Sequence, residues 1–222
     1  MQCVIDGGVP GNVAQLVYGV PDMVSRHLIA SSIIRKVSFT GSVPVGKHLL
    51  KLAADGVKRT TMELGGHAPV LIFDDCDLEK AISLSATTKF RNAGQVCASP
   101  TRFYVHASIL AQVTDRLVSA TQALKLGSPL NDDSDLGPLA TQRRRDAVER
   151  LVEDAVKSGA RVLSGGRRPA SQARGWFYEP TWLQSPPEDA AVMNDEPFGP
   201  LGTITPFETL DEVIEQANRL PF

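Results

Sequence analysis

The chain has 222 residues, of which 42% are hydrophobic and 22% charged, with a formal net charge of −2 and a pI near 6.1. This composition is typical of a globular protein with one large domain, or one and a half smaller ones. It excludes a general basic surface for nucleic acid, and no apolar run is long enough for a membrane span. Three irregularly spaced cysteines favour a reducing compartment over a disulfide framework, so we expect a cytoplasmic protein.

The first third of the chain alternates between strand and helix patterns. We predict a short strand over Val13–Gly19, a helix over Met23–Ile29 and a buried strand over Lys36–Phe39. A strand-to-helix turn then follows at residues 40–48. Its Ser42 is a good N-cap residue, and Pro44 suits the first helical turn.

This turn is compatible with more than one kind of site. Gly41, Gly46 and Lys47 have the spacing of a phosphate-binding P-loop, which would indicate a nucleotide hydrolase. That motif requires Ser or Thr after the lysine, where this sequence has His48, and Pro44 fits the loop poorly. A dinucleotide held at the helix N-terminus is the second interpretation. A capped helix without a ligand is the third.

A glutamate and two glycines end the next predicted strand, residues 58–63. Gly65 and Gly66 allow unusual backbone dihedrals and close approach to a ligand, directly after Glu63. The strand–helix pattern then resumes, which predicts an α/β fold with largely parallel strands and a domain boundary near Gly65-Gly66. The predicted elements are strand 69–73, helix 78–91, strand 102–105, a helix from about 108 to 124, a helix to about 158, strand 161–163, strand 201–206 and helix 210–219.

Cys97 lies between a predicted helix end and a predicted strand start. Backbone N–H groups at such a turn can stabilise a thiolate, which is the nucleophilic form of cysteine. Asn92, Gly94 and Gln95 are poor core residues and are typical of a hydrogen-bonded turn. The alternative interpretation is a small buried core residue.

Three later segments have simpler interpretations. Asn131–Ser134 could suggest calcium, but the loop lacks the glycine and terminal glutamate of a calcium loop, so we predict a solvated turn and no metal site. Arg143–Arg145 are predicted to lie on a solvated helical face and not in a nucleic-acid patch. Trp176–Leu183 is predicted to be an aromatic strand that packs in the core.

Two motifs together resemble the aldehyde dehydrogenase superfamily: Glu63-Leu64-Gly65-Gly66 and Gly94-Gln95-Val96-Cys97, with Cys97 34 positions after Glu63. The resemblance extends along nearly the whole chain. It implies a three-layer α/β fold with a partial, Rossmann-like dinucleotide-binding domain at residues 1–65 and a catalytic domain at 66–222. Because members of that family are longer than this chain, we expect a fragment of a protein that forms a homodimer or homotetramer.

The resemblance also implies an activity, the oxidation of an aldehyde to a carboxylic acid with NAD or NADP. Cys97 would attack the aldehyde to give a thiohemiacetal and then a thioester, and Glu63 would activate the water that hydrolyses the thioester. The implied cofactor-binding residues are Gly41, Ser42 and Gly46 for the pyrophosphate, Leu64 for the nicotinamide, and Glu196 with Phe198 for the nicotinamide ribose. Without the resemblance, Glu196 would be interpreted as a surface charge.

Arg91 indicates a substrate class within the family. The segment Lys89-Phe90-Arg91-Asn92 resembles the succinate-semialdehyde dehydrogenase branch, in which this arginine pairs with the substrate carboxylate. A salt bridge at the helix end is the alternative role. Ser99 stands where some members of that branch have a second cysteine, so we expect no local disulfide switch. A catalytically silent fragment that acts only as a folded partner is a further alternative.

Overall fold

The computed structural model describes residues 1–172 and 174–222. The chain divides into two compact units, Met1–Leu64 and Gly65–Phe222, which we call unit 1 and unit 2. Helices alternate with mainly parallel strands in each unit, which confirms the predicted α/β class. We describe the two units separately.

Unit 1 is built on two parallel strands and the helix that connects them. The connecting helix and the helix at residues 21–30 share a small core of Ile29, Leu49 and Ala53. The predicted helix over 23–29 is confirmed, as is the strand that leads to Glu63. The elements are α1 (Gln2–Asp6), α2 (Pro21–Ala30), β1 (Lys36–Gly41), α3 (Val43–Ala54) and β2 (Arg59–Leu64).

Two predictions in unit 1 are wrong. Residues 13–19 form no strand, and Val13 and Tyr18 are exposed, because an isolated extended segment without a partner has no ladder to satisfy its backbone. Strand β1 is present, but its residues alternate between exposed and half-buried and none is fully buried. Val37 and Phe39 lie on the same face of β1 and pack against the small core, while the alternate residues are exposed.

In the residues that the structure describes, unit 2 is built on a five-stranded sheet with strand order β3-β4-β7-β6-β5, in which the β5–β6 pair is antiparallel and the neighbouring pairs are parallel. The predicted helices and strands of this unit are confirmed to within two residues, except in the segment discussed below. The strands are β3 (Ala68–Ile72), β4 (Pro100–His106), β5 (Arg161–Ser164), β6 (Thr181–Gln184) and β7 (Leu201–Phe207). The helices are α4 (Leu78–Phe90), α5 (Leu110–Gln122), α6 (Gln142–Lys157), α7 (Ala191–Asn194) and α8 (Leu210–Asn218).

The core of unit 2 is centred on Trp182, which is fully buried. Its ring packs edge-on against Phe103 at 4.8 Å and against Phe90 at 5.5 Å between centroids. Its indole N–H donates to the Thr121 hydroxyl at 2.8 Å, so the polar atom of this side chain is satisfied. Phe90 is the last residue of α4, so this contact anchors in the core the helix end from which the Cys97 segment leaves.

Two predictions in unit 2 need correction. The aromatic segment 176–183 is a strand only from Thr181, because Pro180 has no N–H to donate to a ladder. The three arginines do not form one solvated face. Arg145 is buried with its guanidinium 5.1 Å from the centroid of the Trp176 ring, and Arg144 donates to the Pro197 carbonyl at 3.2 Å. Helical periodicity turns these residues inward, although their charge suggested exposure.

Candidate active site

The cofactor-binding residues that we predicted in unit 1 lie together. Gly41 ends β1 and is paired with Leu64, the last residue of β2. Gly46 lies in the first turns of α3 and is buried so closely against Leu64 that a methyl group on it would be 2.5 Å from Leu64 Cδ2. Ser42 is the N-cap residue of α3, as predicted, but its side chain makes no capping hydrogen bond.

The same geometry contradicts the P-loop interpretation. Helix α3 begins at Val43, two residues after Gly41, and Gly46 N–H is bonded to the Ser42 carbonyl at 3.0 Å. Residues 43–47 are therefore helical and do not form a loop that could wrap a phosphate. His48 contacts the Asp22 carboxylate at 2.8 Å.

Glu63 is one residue from the end of β2 and is paired with Thr40 of β1. Its side chain is exposed. The carboxyl ends of β1 and β2 therefore carry Glu63 together with the cofactor-binding candidates of unit 1.

In unit 2, Cys97 projects from a short turn between α4 and β4. The turn is closed by the Ser99 N–H, which donates to the Val96 carbonyl at 2.9 Å. Cys97 is exposed, so the interpretation as a buried core residue is wrong. A thiol in this position is accessible to a substrate.

The chain that leads into this turn has an unusual backbone. Asn92, Ala93 and Gly94 all have positive φ, at 52°, 53° and 70°. Each non-glycine residue in this conformation costs about 1–2 kcal/mol, and Ala93 has no polar side chain to offset the cost. Three successive left-handed residues therefore need strong support from their surroundings.

Gln95 and Asn92 supply part of that support. The Asn92 side-chain amide donates to the Gln95 carbonyl at 3.0 Å, and the Gln95 amide donates to the Asn92 carbonyl at 3.1 Å. The Gln95 side-chain oxygen accepts from the Ala140 N–H at 2.9 Å, which ties the turn to the segment before α6. Polar residues thus hold this turn, as their presence in the sequence predicted.

Gly94 connects the cysteine turn to the segment that contains Glu196 and Phe198. A methyl group on Gly94 would be 2.0 Å from the Gly199 carbonyl oxygen. Phe198 has φ of 42°, which is also left-handed. Unit 2 therefore brings the two predicted motifs 91–97 and 196–200 into direct backbone contact.

Glu196 lies against Gly65, the first residue of unit 2. A methyl group on Gly65 would be 2.1 Å from Glu196 Oε2. Burial raises the pKa of Glu196, and the opposing effects of the Gly66 backbone N–H and of the Arg144 and Lys89 charges are smaller. Its Oε1 is buried and has no hydrogen-bond partner in the described part of the chain. An unpartnered carboxylate oxygen beside glycine backbone fits a ligand hydroxyl.

Arg91 is exposed at the start of the turn. Within residues 1–172 and 174–222, no ion pair or side-chain hydrogen bond involves its guanidinium, which contradicts the interpretation as a helix-end salt bridge. The side chain is available to an anionic ligand.

Two residues near the site were not identified from the sequence. His67 is buried, its Nε2 lies 2.9 Å from the Val192 carbonyl and its Nδ1 contacts the Thr101 hydroxyl. A carbonyl only accepts, so Nε2 carries the proton and Nδ1 accepts from Thr101. Burial lowers the pKa of His67 to about 4, which makes the neutral form the stable one. Through these two hydrogen bonds His67, which follows Gly65-Gly66, connects that segment to α7 and β4.

Lys89 is the second such residue. It is fully buried near the C-terminal end of α4, and its Nζ donates to the Ser99 hydroxyl at 3.1 Å. Burial lowers the pKa of Lys89 to about 7, and the negative charge of Glu196 opposes this shift. A lysine in a helical pattern is expected to be exposed, so only the structure shows this placement.

Two further observations concern other kinds of site. No cluster of three or more His, Cys, Asp or Glu side chains in the described ranges is arranged to hold a metal ion. None of the helices formed by these residues has both the length and the apolar character needed to cross a membrane.

Comparison with known proteins gives the family. The model of the aldehyde dehydrogenase family matches residues 1–222. The chain is 47% identical over 214 residues to a putative 4-(hydroxymethyl)benzenesulfonate dehydrogenase, TsaD2, of Comamonas testosteroni, covering 96% of this chain and 44% of that protein. It is 38% identical to the succinate-semialdehyde dehydrogenase [NADP(+)] GabD of Escherichia coli strain K12, covering 98% of this chain and 45% of that one.

Solved structures agree with the fold. An E. coli NADP dependent enzyme matches with a TM-score of 0.95 and 37% identity, over 100% of this chain and 46% of the other. An NAD+ complex of an aldehyde dehydrogenase from Bacillus cereus matches with a TM-score of 0.93 and 33% identity, over 99% and 44% of the two chains. The chain thus spans less than half the length of these relatives. Because the family model matches all of its residues, this chain is a member of the aldehyde dehydrogenase family.

Proposed function

We propose that this chain provides the nucleophile and part of the cofactor-binding surface for NAD(P)-dependent oxidation of an aldehyde that carries an anionic group. The observation that carries the proposal is the exposed thiol of Cys97 on a hydrogen-bonded turn that contacts the Glu196 segment through Gly94. A reactive group on a strained backbone that is held by hydrogen bonds is typical of an active site.

In this proposal Cys97 is the nucleophile. Its thiolate forms a bond to the aldehyde carbon, and a backbone N–H of the turn stabilises the oxyanion of the thiohemiacetal. The nicotinamide cofactor, when bound, accepts the hydride that leaves this carbon. Glu63 takes a proton from the water that attacks the resulting thioester, and the Cys97 thiolate is released with the carboxylic acid.

The residues of the chain fit a dinucleotide cofactor, and we assign its contacts on that basis. Gly41, Ser42 and Gly46 would receive the pyrophosphate, because Ser42 has an uncommitted hydroxyl at a helix N-terminus. Leu64 would contact the nicotinamide. Glu196 would accept from the ribose hydroxyls through its unpartnered Oε1, with Phe198 beside it. The relatives named above include proteins described with NADP and with NAD+, and both remain candidates.

Arg91 is proposed to bind the anionic group of the substrate. Its guanidinium is exposed beside the nucleophile turn, and the names of two relatives specify a sulfonate and a succinate semialdehyde. Succinate semialdehyde has a carboxylate at the end opposite its aldehyde carbon, and the other named compound has a sulfonate across the ring from its hydroxymethyl group. Arginine binds carboxylate and sulfonate oxygens through two parallel N–H donors.

Aldehyde-dependent formation of NADH or NADPH by the purified chain tests this function. Cys97→Ala should remove the activity, whereas Cys3→Ala, which changes another exposed thiol, should not. Glu63→Gln should let an acyl group accumulate on Cys97, detected by peptide mass spectrometry. A Cys97→Ala variant that keeps its activity, or an acyl group found elsewhere, would contradict the assignment.

A further inference from the structure

The segment that carries Cys97 has both of its ends at one hydrogen-bonded contact. It comprises residues 90–98, between Lys89 near the end of α4 and Ser99 just before β4. Lys89 Nζ donates to the Ser99 hydroxyl at 3.1 Å. That hydroxyl is 3.3 Å from the Lys89 carbonyl oxygen and can donate to it. Both residues are buried, and the lysine thus binds Ser99 through its side chain and through its backbone.

Segment 90–98 contains the groups to which we assign the chemistry of this unit. Arg91 is near its start, Cys97 is near its end, and the three residues with positive φ, 92–94, lie between them. A backbone in this conformation persists only where its surroundings support it. Hydrogen bonds within the segment support its middle, whereas the lysine–serine contact joins its ends. Because the ends are held together, fewer conformations are open to the residues between them.

Ser99 also takes part directly in the turn around the nucleophile. Its backbone N–H donates to the Val96 carbonyl at 2.9 Å, which closes the turn at Cys97. Its side chain is the group that Lys89 binds. The position of the lysine is therefore passed to the nucleophile turn through one residue and two hydrogen bonds.

A lysine at this position is costly to the fold. In the part of the chain that the structure describes, Lys89 forms no ion pair, and Ser99 is the hydrogen-bond partner of its Nζ. Burying an amine with so few partners destabilises a protein relative to an apolar side chain of similar length. What the lysine supplies, and an apolar residue does not, is a directed bond to Ser99.

We propose that Lys89 is a positioning residue for the nucleophile: its bond to Ser99 closes the base of segment 90–98 and holds Cys97 where the backbone of the turn stabilises a thiolate. This inference rests on the proposed function, in which Cys97 attacks the aldehyde. Lys89 itself is buried and acts through Ser99.

The test measures the rate at which iodoacetamide labels each cysteine at neutral pH, read by peptide mass spectrometry. We expect Cys97 to react about tenfold more slowly in Lys89→Met than in the wild type, because the turn is no longer held in place. Lys80→Met is the matched control, since Lys80 lies on the same helix but is exposed. It should leave the rate unchanged. An unchanged Cys97 rate in Lys89→Met would overturn the proposal.

Cys76 separates positioning from a general structural role. Its thiol is half-buried and packs against the core of unit 2, so its labelling rate reports whether that core has loosened. We expect Lys89→Met to slow the labelling of Cys97 and to leave that of Cys76 unchanged. Faster labelling of Cys76 in this variant would mean that the lysine supports the whole core, and the positioning role would be refuted.

A double-mutant cycle tests whether Lys89 acts through Ser99. Ser99→Ala should slow the labelling of Cys97 to a similar extent, and the Lys89→Met, Ser99→Ala double variant should be little slower than either single variant. Ser85→Ala, which removes another hydroxyl from a buried residue of α4, should have no effect. Independent, multiplying effects of the two substitutions would contradict the link between them.

Hydrogen exchange distinguishes failure of this inference from failure of the proposed function. The Ser99 amide, which donates to the Val96 carbonyl, should exchange faster in Lys89→Met than in the wild type or in Lys80→Met. This measurement needs neither cofactor nor aldehyde. If Cys97 of the wild type reacted no faster than Cys3, the proposed function would lose its nucleophile. Unchanged exchange at Ser99 in Lys89→Met would instead refute the hold of the lysine on the turn.

Discussion

Gly94 and Gly199 touch through their backbones, with the Gly199 carbonyl oxygen only 2.0 Å from where a side-chain carbon on Gly94 would lie. This contact connects the turn that carries Cys97 to the segment that carries Glu196. Gly94 also has φ of 70°, which glycine adopts at no steric cost. The juxtaposition of the two motifs therefore depends on the absence of a side chain at a single position.

We predict that Gly94→Ala destabilises the chain by about 3 kcal/mol or more, because it combines a backbone clash with a left-handed alanine. Urea-induced unfolding measures the effect. Gly159→Ala is the matched control, since Gly159 has φ of 105° but no atom within 4 Å of the added methyl group. A Gly94→Ala variant no less stable than Gly159→Ala would show that the close contact is not essential.

Gln95 holds the nucleophile turn through its contacts with the Asn92 carbonyl and the Ala140 N–H. Gln95→Ala should lower the free energy of unfolding by about 1 kcal/mol, because these hydrogen bonds are partly exposed. Its kcat for aldehyde oxidation should also fall, because the turn is no longer fixed. The fall should be larger than the small increase in the unfolded fraction of the protein would cause. Gln122→Ala, at an exposed position of α5, is the control. Equal kcat in Gln95→Ala and wild type would argue against a positioning role.

His67 makes stability depend on pH in a defined window. Its pKa is about 4 in the folded chain and near 6.5 when unfolded, so the unfolded chain binds the additional proton more tightly. The contribution of neutral His67 to the free energy of unfolding is therefore complete above pH 6.5. It is lost as the pH falls towards 4, and this loss is about 3 kcal/mol at most. The stability difference between wild type and His67→Gln should shrink over this range. A difference that is constant between pH 8 and pH 4 would contradict the assignment of a neutral, buried imidazole.

Arg91 should determine the preference for anionic substrates. We expect Arg91→Gln to lower kcat/KM for succinate semialdehyde by about 30-fold, the loss of a charge-assisted pair, and to change kcat/KM for butanal by less than about twofold. Arg91→Lys should give an intermediate value, because lysine lacks the bidentate geometry. Equal losses for the charged and the uncharged aldehyde would indicate a structural role for Arg91.

The sequence predicted those parts of the site that depend on local chemistry. Glycine and polar residues around Cys97 indicated a hydrogen-bonded turn, and Ser42 indicated the start of α3. Such features depend on residues within a few positions of one another. For the same reason, most helices and strands were predicted to within two residues.

The parts that were missed depend on contacts distant in sequence. The His67 bond to Val192 joins residues 125 positions apart, and Lys89 is fully buried with its Nζ bonded to Ser99 beyond the end of α4. Arg145 faces Trp176, which the helix pattern alone could not indicate. Residues 13–19 have a strand pattern but no partner, and a strand needs one. In each case tertiary contacts decide burial, whereas composition only sets the expectation.

The rate of alkylation of each cysteine tests most directly the claim that Cys97 is the nucleophile. Cys3 and Cys97 are both exposed, so a difference between them reflects reactivity and not access. Iodoacetamide labelling at neutral pH, followed by peptide mass spectrometry, should show Cys97 reacting at least about tenfold faster than Cys3. Equal rates at the two thiols would mean that the turn does not activate Cys97, and the proposed reaction would lose its nucleophile.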